Sequence, residues 1–146
     1  MIVAFCGHSS YVKTQADEKR VLDILENMVG DTYCEFFLGE YGAFDRFAYA
    51  CAKKFKNTHS KCKLVYITPY NKCDEIQQER FDFIIYPELE NVPPRYAISR
   101  RNKWIAEQAD IVITYITHQY GGAYTTCLHA KRKNKQIFNI AQEIRN

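Results

Sequence analysis

Apolar residues in this chain fall into short runs separated by polar turns, and the spacing inside each run sets the element it predicts. Segments 2–6, 34–38, 63–68, 81–86, 109–116 and 136–140 are compact runs rich in Val, Ile, Phe and Tyr, and they predict strands. Over 14–29 the apolar residues Val21, Leu22, Ile24, Leu25, Met28 and Val29 return close to helical spacing and stop at Gly30, which predicts a helix. Further helices are predicted over 45–56, 95–108 and 125–133. Segment 71–80 follows neither period and is expected to be a short helix or an excursion near a ligand mouth. Strand and helix alternate, and the strands are apolar on both faces. That pattern belongs to a three-layer α/β/α domain with a mostly parallel sheet covered on both sides. No linker, repeat or low-complexity segment divides the chain, so residues 1–146 are expected to form one domain.

In such a sheet the turns leaving the carboxyl ends of the strands gather on one edge, where ligands bind. Three of these turns are rich in glycine: Gly7-His8-Ser9-Ser10-Tyr11, Gly39-Glu40-Tyr41-Gly42-Ala43-Phe44-Asp45, and His118-Gln119-Tyr120-Gly121-Gly122-Ala123-Tyr124-Thr125-Thr126. Glycine lets backbone approach an anion closely. A helix mouth supplies unpaired N–H groups and a positive dipole end. The three turns together predict a phosphate- or nucleotide-binding cleft. The first turn lacks G-x-G-x-x-G, which argues against an ordinary NAD-dependent dehydrogenase, and the Walker lysine motif is also absent.

A formal net charge of +3 with scattered basic residues lacks the stripe that contacts along a nucleic-acid strand demand, so nucleic acid is not the expected partner. The cluster Lys131-Arg132-Lys133 with Lys135 complements a helix C-terminus. None of the six cysteines forms a C-x-x-C pair, and no histidine pair has metal-ligand spacing. Free thiols in a reducing compartment are expected, with no cofactor and no metal. No apolar run approaches a membrane span, and a cytoplasmic location is expected.

Gly39 to Asp45, the run Ser99-Arg100-Arg101-Asn102-Lys103-Trp104-Ile105, and Gly121-Gly122-Ala123-Tyr124-Thr125-Thr126 resemble the corresponding segments of the SLOG superfamily of Rossmann-like proteins. That group includes the LONELY GUY phosphoribohydrolases, the DNA-processing protein A and small stand-alone members. The enzymes of the group carry an Arg-Lys pair and P-G-G-x-G-T-x-x-E. Here Arg101 matches the arginine and Asn102 replaces the lysine. Gly121, Gly122 and Thr125 match the second motif, Tyr120 and Tyr124 depart from it, and Leu128 stands where the catalytic glutamate belongs. Leucine cannot carry charge or a proton. The resemblance therefore implies retained phosphate binding with that chemistry lost, as in a sensor or sequestering protein for a nucleotide-derived signal, similar to modules of bacterial antiphage systems. It also implies a homo-oligomer, a dimer or higher. The alternatives are an N-glycosidic-bond enzyme and a single-stranded DNA binder.

Among individual residues, Arg101 is expected either to hold a phosphate bidentately or to pair with Glu107 on the surface. Asp45 either caps its helix or bonds a ribose hydroxyl. Glu40, between two loop glycines, is the first candidate for a catalytic acid or base and Asp45 the second. Gly7, His8, Ser9, Gly39, Gly42, Phe44, Asn102, Gly121, Gly122, Thr125 and Thr126 are expected to line the cleft, with His118 beside them. Tyr11, Tyr41 and Tyr124 are the stacking candidates, and Trp104 is expected to be packed.

Overall fold

The computed structural model describes residues 1–141. Among them, the sheet has six strands: β1 (Ile2–Gly7), β2 (Cys34–Leu38), β3 (Cys62–Ile67), β4 (Phe83–Ile85), β5 (Ile111–Tyr115) and β6 (Gln136–Asn139). Their spatial order is β4-β3-β2-β1-β5-β6, and every pairing is parallel. The chain builds outward from β1 through β4, then crosses back to place β5 on the other side of β1. Strand order therefore reverses between β1 and β5, and a crevice opens at their carboxyl ends.

Alternation along the strands splits the core in two. Val3, Phe5, Phe36, Leu38, Leu64, Ile111 and Ile113 face one layer, where helices α1 (Gln15–Met28) and α2 (Ala43–Thr58) contribute Val21, Leu25, Phe44, Phe47, Cys51 and Phe55. Ala4, Phe37, Val65, Ile67 and Val112 face the other, covered by α4 (Ala97–Gln108) and α5 (Gly122–Arg132) through Ile105, Ala106 and Ala130. Trp104 lies flat on Phe37, with ring centroids 5.9 Å apart, and is packed as expected. Burial on both faces is why these strands read as continuous apolar runs.

The ambiguous segment 71–80 contains the short helix α3 (Glu75–Arg80). It begins at a capping box in which Asp74 accepts from the Gln77 backbone and the Gln77 side chain accepts from the Asp74 backbone. Helix α1 starts where Thr14 accepts from the Asp17 N–H. Two helices begin earlier than the sequence predicts: α2 at Ala43 instead of residue 45, and α5 at Gly122 instead of residue 125. Both are capped by glycines, Gly42 (φ +98°) and Gly121 (φ +92°), with no side-chain cap bond to mark the start. Before α4, residues Pro94–Tyr96 form a 3₁₀ turn instead of helix. All six cysteines are free, and Cys34, Cys51, Cys62 and Cys127 are buried. No described helix is long and apolar enough to cross a membrane.

Candidate functional site

The crevice at the reversal point is a cavity of about 740 Å³, within the range of small-molecule sites. The end of β1, the first turn of α2, one face of α4 and the first turn of α5 line it. All three glycine turns reach this edge, but they do different work. A Cβ built on Gly7 would stand 2.1 Å from the Phe44 ring, so Gly7 is there to let β1 lie against that ring. A Cβ on Gly39 would meet Asp45 Oδ2 at 3.0 Å and the Arg101 guanidinium at 3.1 Å. Gly42 lies under Ser9, and a Cβ built on it would stand 3.1 Å from the Ser9 Cβ. At Gly121 and Gly122 a Cβ would meet nothing within 4 Å. Only the third turn faces open space.

The two helix mouths differ in the same way. At α2 the Ala43 N–H donates to the Ser9 carbonyl at 3.4 Å, and the Tyr41 N–H donates to Asp45 Oδ2 at 2.8 Å. At α5 the backbone N–H groups of Gly122, Ala123 and Tyr124 precede the first intrahelical bond, from Thr125 N to the Gly121 carbonyl at 3.0 Å. They have no partner among the described residues. The hydroxyls behave otherwise than expected. Thr125 Oγ1 donates to the Gly121 carbonyl at 3.0 Å and Thr126 Oγ1 to the Gly122 carbonyl at 2.9 Å. With their protons committed to the helix they are acceptors only, and the unpartnered donors of this turn lie in its backbone.

The charged residues sort differently from their sequence-based expectations. Arg101 is 2% exposed. Its Nη1 donates to the Ile67 carbonyl at 2.6 Å and its Nε to Asn102 Oδ1 at 2.9 Å. It is thus no surface arginine paired with Glu107, which bonds His129 at 2.8 Å instead. Burial works against its charge, and the nearby Asp45 supports it. Asp45 lines the cavity beside it. Burial raises the Asp45 carboxyl above its usual range, although the Tyr41 N–H and Arg101 pull the other way. Asp45 is not the cap of α2, which begins two residues earlier at Ala43 behind Gly42; its Oδ2 instead accepts from the Tyr41 N–H in the preceding turn. Glu40 corrects the first catalytic choice. Its oxygens bond Arg80 Nη1 at 2.6 Å and Gln77 Nε2 at 2.8 Å, and it does not line the cavity. Those partners come from α3, the segment whose form the sequence left open.

Three aromatic expectations also change. Phe44 is a core residue, 1% exposed, and Tyr11 packs edge-on against it while donating to Asp17 at 2.8 Å. The Tyr124 ring is not part of the cavity wall, whereas the exposed Tyr41 is. Across the cavity the His8 and His118 rings stack at 3.6 Å, and His118 stacks on Tyr120 at 3.8 Å. His8 Nε2 accepts from the Thr117 N–H at 3.0 Å, so His8 is held neutral; burial and the neighbouring His118 both lower its pKa. Cys6 lies deeper, donating to the Ala123 carbonyl at 3.1 Å, and burial followed by the charge of Cys127 and Asp45 pushes its thiol up. Sequence reasoning missed Arg95, Ser99, Lys103 and Tyr120 as cavity residues. A signal existed: Arg95, Ser99 and Asn102 recur at spacings of four and three, one helical face. Among the described residues no cluster of His, Cys, Asp and Glu is arranged to hold a metal ion.

No protein-family model matches this sequence, and neither does any curated protein sequence. The fold, however, is shared with solved structures. DNA processing protein A from Streptococcus pneumoniae superimposes with a TM-score of 0.67 and 21% identity over 94% of this chain and 49% of that one. TM1055, a structural-genomics target, gives 0.58 and 16% identity over 93% and 71%. DNA processing protein A from Helicobacter pylori, described for its unique single-stranded DNA binding mode, gives 0.63 and 15% over 95% and 64%. This chain spans about half the length of the first of these proteins. The Rossmann-like α/β architecture expected from the sequence thus stands as the fold.

Proposed function

We propose that the cavity binds a nucleotide or nucleotide-derived signal, with a phosphate at the first turn of α5 and the sugar toward Asp45 and Arg101. The observation that carries this is the open third turn. It has three free N–H groups at a helix N-terminus, two glycines with no side chain in front of them, and a cavity of about 740 Å³ beyond. Arg95, Arg101 and Lys103 line the same cavity against a single carboxylate, Asp45, which favours an anionic ligand. The family's glutamate is replaced by Leu128, and Glu40 is held by α3, so binding without turnover fits the residues present. Such a domain is a sensor or a sequestering protein.

Gly122→Asp tests it. The position is helical, its Cβ would enter open space, and an acid at a helix N-terminus is tolerated or mildly stabilising, by about 0.3–1 kcal/mol. The carboxylate would occupy the anion position. Calorimetry with nucleoside 5′-phosphates should show at least tenfold weaker binding in a variant that melts no lower than the wild type. Unchanged affinity would remove the α5 mouth from the site. Mass spectrometry of small molecules released on denaturation identifies the natural ligand.

A second reading has one observation behind it. Tyr41, Tyr70, Tyr96 and Tyr120 are all exposed, and they stand in the connections after β2, β3, β4 and β5, on the carboxyl edge of the sheet. Aromatic rims of this kind stack the bases of single strands. Oligothymidylate binding that survives Gly122→Asp and weakens steeply with salt would favour that reading.

A further inference from the structure

Asp45 and Arg101 carry opposite charges, line one cavity and crowd the same glycine, yet they are not paired. A Cβ on Gly39 would lie 3.0 Å from Asp45 Oδ2 and 3.1 Å from Arg101 Nη1, but no nitrogen–oxygen distance between the two residues falls within the 4.0 Å of an ion pair. Each side has an unused group. Asp45 Oδ2 accepts from the Tyr41 N–H, while Oδ1 has no donor among the described residues. Arg101 uses Nε and Nη1 on Asn102 and Ile67, while Nη2 has no acceptor among them and is not sealed from the cavity. A side chain at position 39 would crowd both groups. Its φ is not in the left-handed region, so the glycine is required for room and not for backbone conformation.

A guanidinium only donates hydrogen bonds, and an ionised carboxylate only accepts them. A group bridging the two must do both. A phosphate oxygen satisfies Nη2 but repels Asp45, and a ligand amine does the reverse. A hydroxyl accepts from one and donates to the other. We infer that Asp45 and Arg101 together form a hydroxyl-recognition point in the cavity, which makes them the residues that select a ribose over a deoxyribose. The inference rests on the nucleotide reading above and moves Arg101 from a phosphate contact to a sugar contact. It also explains why a charged pair remains unclosed in a partly buried site, where closing it would otherwise relieve both partners of unmet hydrogen bonds.

The test needs no variant. Wild-type protein is titrated calorimetrically with the four ribonucleoside 5′-monophosphates and with their 2′-deoxy and 3′-deoxy counterparts. Ribonucleotides should bind at least tenfold more tightly than the counterpart lacking the recognised hydroxyl. Asp45→Asn then locates the effect. The amide oxygen still accepts from the Tyr41 N–H, so the amide nitrogen turns a donor toward Nη2, and the preference for the hydroxyl should collapse to less than twofold. Equal affinity for all three sugars would overturn this inference while leaving the nucleotide reading intact. A preference that persists unchanged in folded Asp45→Asn would likewise remove Asp45. Failure of every nucleotide to bind would overturn both.

Discussion

Replacing Gly7 by alanine separates a glycine that packs from a glycine that binds. The new Cβ would stand 2.1 Å, 2.3 Å and 2.7 Å from three atoms of the Phe44 ring, where ordinary carbon contacts begin near 3.5 Å. Neither side can easily yield. Gly7 pairs with Tyr115 in the β1–β5 ladder, and Phe44 is wedged between Tyr11 at 5.2 Å and Phe47 at 5.6 Å. Overpacking of a tight core costs about 1–3 kcal/mol, and so direct a clash belongs at the upper end. The alanine recovers about 0.4–1 kcal/mol by restricting the unfolded chain. A net loss of about 2–3 kcal/mol follows, or a fall in Tm of about 4–12 °C for a domain of this size. Phe44→Ala alone should cost about 3–5 kcal/mol through the cavity it leaves. In the double variant that cavity accepts the Gly7 methyl, so the second substitution should add almost nothing. The coupling energy should be about 2–3 kcal/mol. Urea denaturation of the four proteins measures it. A Gly7→Ala variant within about 0.5 kcal/mol of wild type, or additive losses in the double variant, would refute the packing role.

Glu40→Gln should leave nucleotide affinity unchanged and lower stability by less than about 1 kcal/mol, because its carboxylate serves a partly exposed ion pair with Arg80 and not the cavity; a tenfold loss of affinity in calorimetry would return Glu40 to the site. His8 makes stability depend on pH with a definite sign. Its folded pKa is lowered, by burial first and His118 second, so the unfolded chain binds more protons. Its contribution is fully present above the unfolded pKa of about 6.5 and is lost as pH falls through the folded value. Denaturation curves at about pH 7.5 and pH 5.5 should therefore show a smaller loss of stability on acidification in His8→Gln than in wild type, and an identical loss would remove His8 as its source.

The alternation of apolar runs determined the architecture without help from tertiary structure. A strand buried on both faces reads as a nearly unbroken apolar run, and residues 34–38, apolar at all positions but Glu35, could therefore be placed as strand to the residue. Helix starts were less legible where the cap is a glycine. Thr14 announces α1 with a side-chain bond, whereas Gly42 and Gly121 cap by backbone conformation alone, and conformation is not written in residue type. The meeting of three turns on one edge followed from parallel strands and needed no coordinates. What each turn does there was decided in space. Gly7 is filled by Phe44, Gly39 is bordered by Asp45 and Arg101, Gly42 is covered by Ser9, and Gly121 and Gly122 are open. The four outcomes depend on neighbours far along the chain, so the same letter stands for a packing contact, a crowded polar junction, a covered turn and an open one. Glu40 shows the same limit for charge: its partner Arg80 is forty residues away, on a helix whose position no local period specifies. Periodicity is a property of adjacent residues and survives in sequence. Occupancy of the space around a side chain is set by distant residues, and only the folded chain decides it.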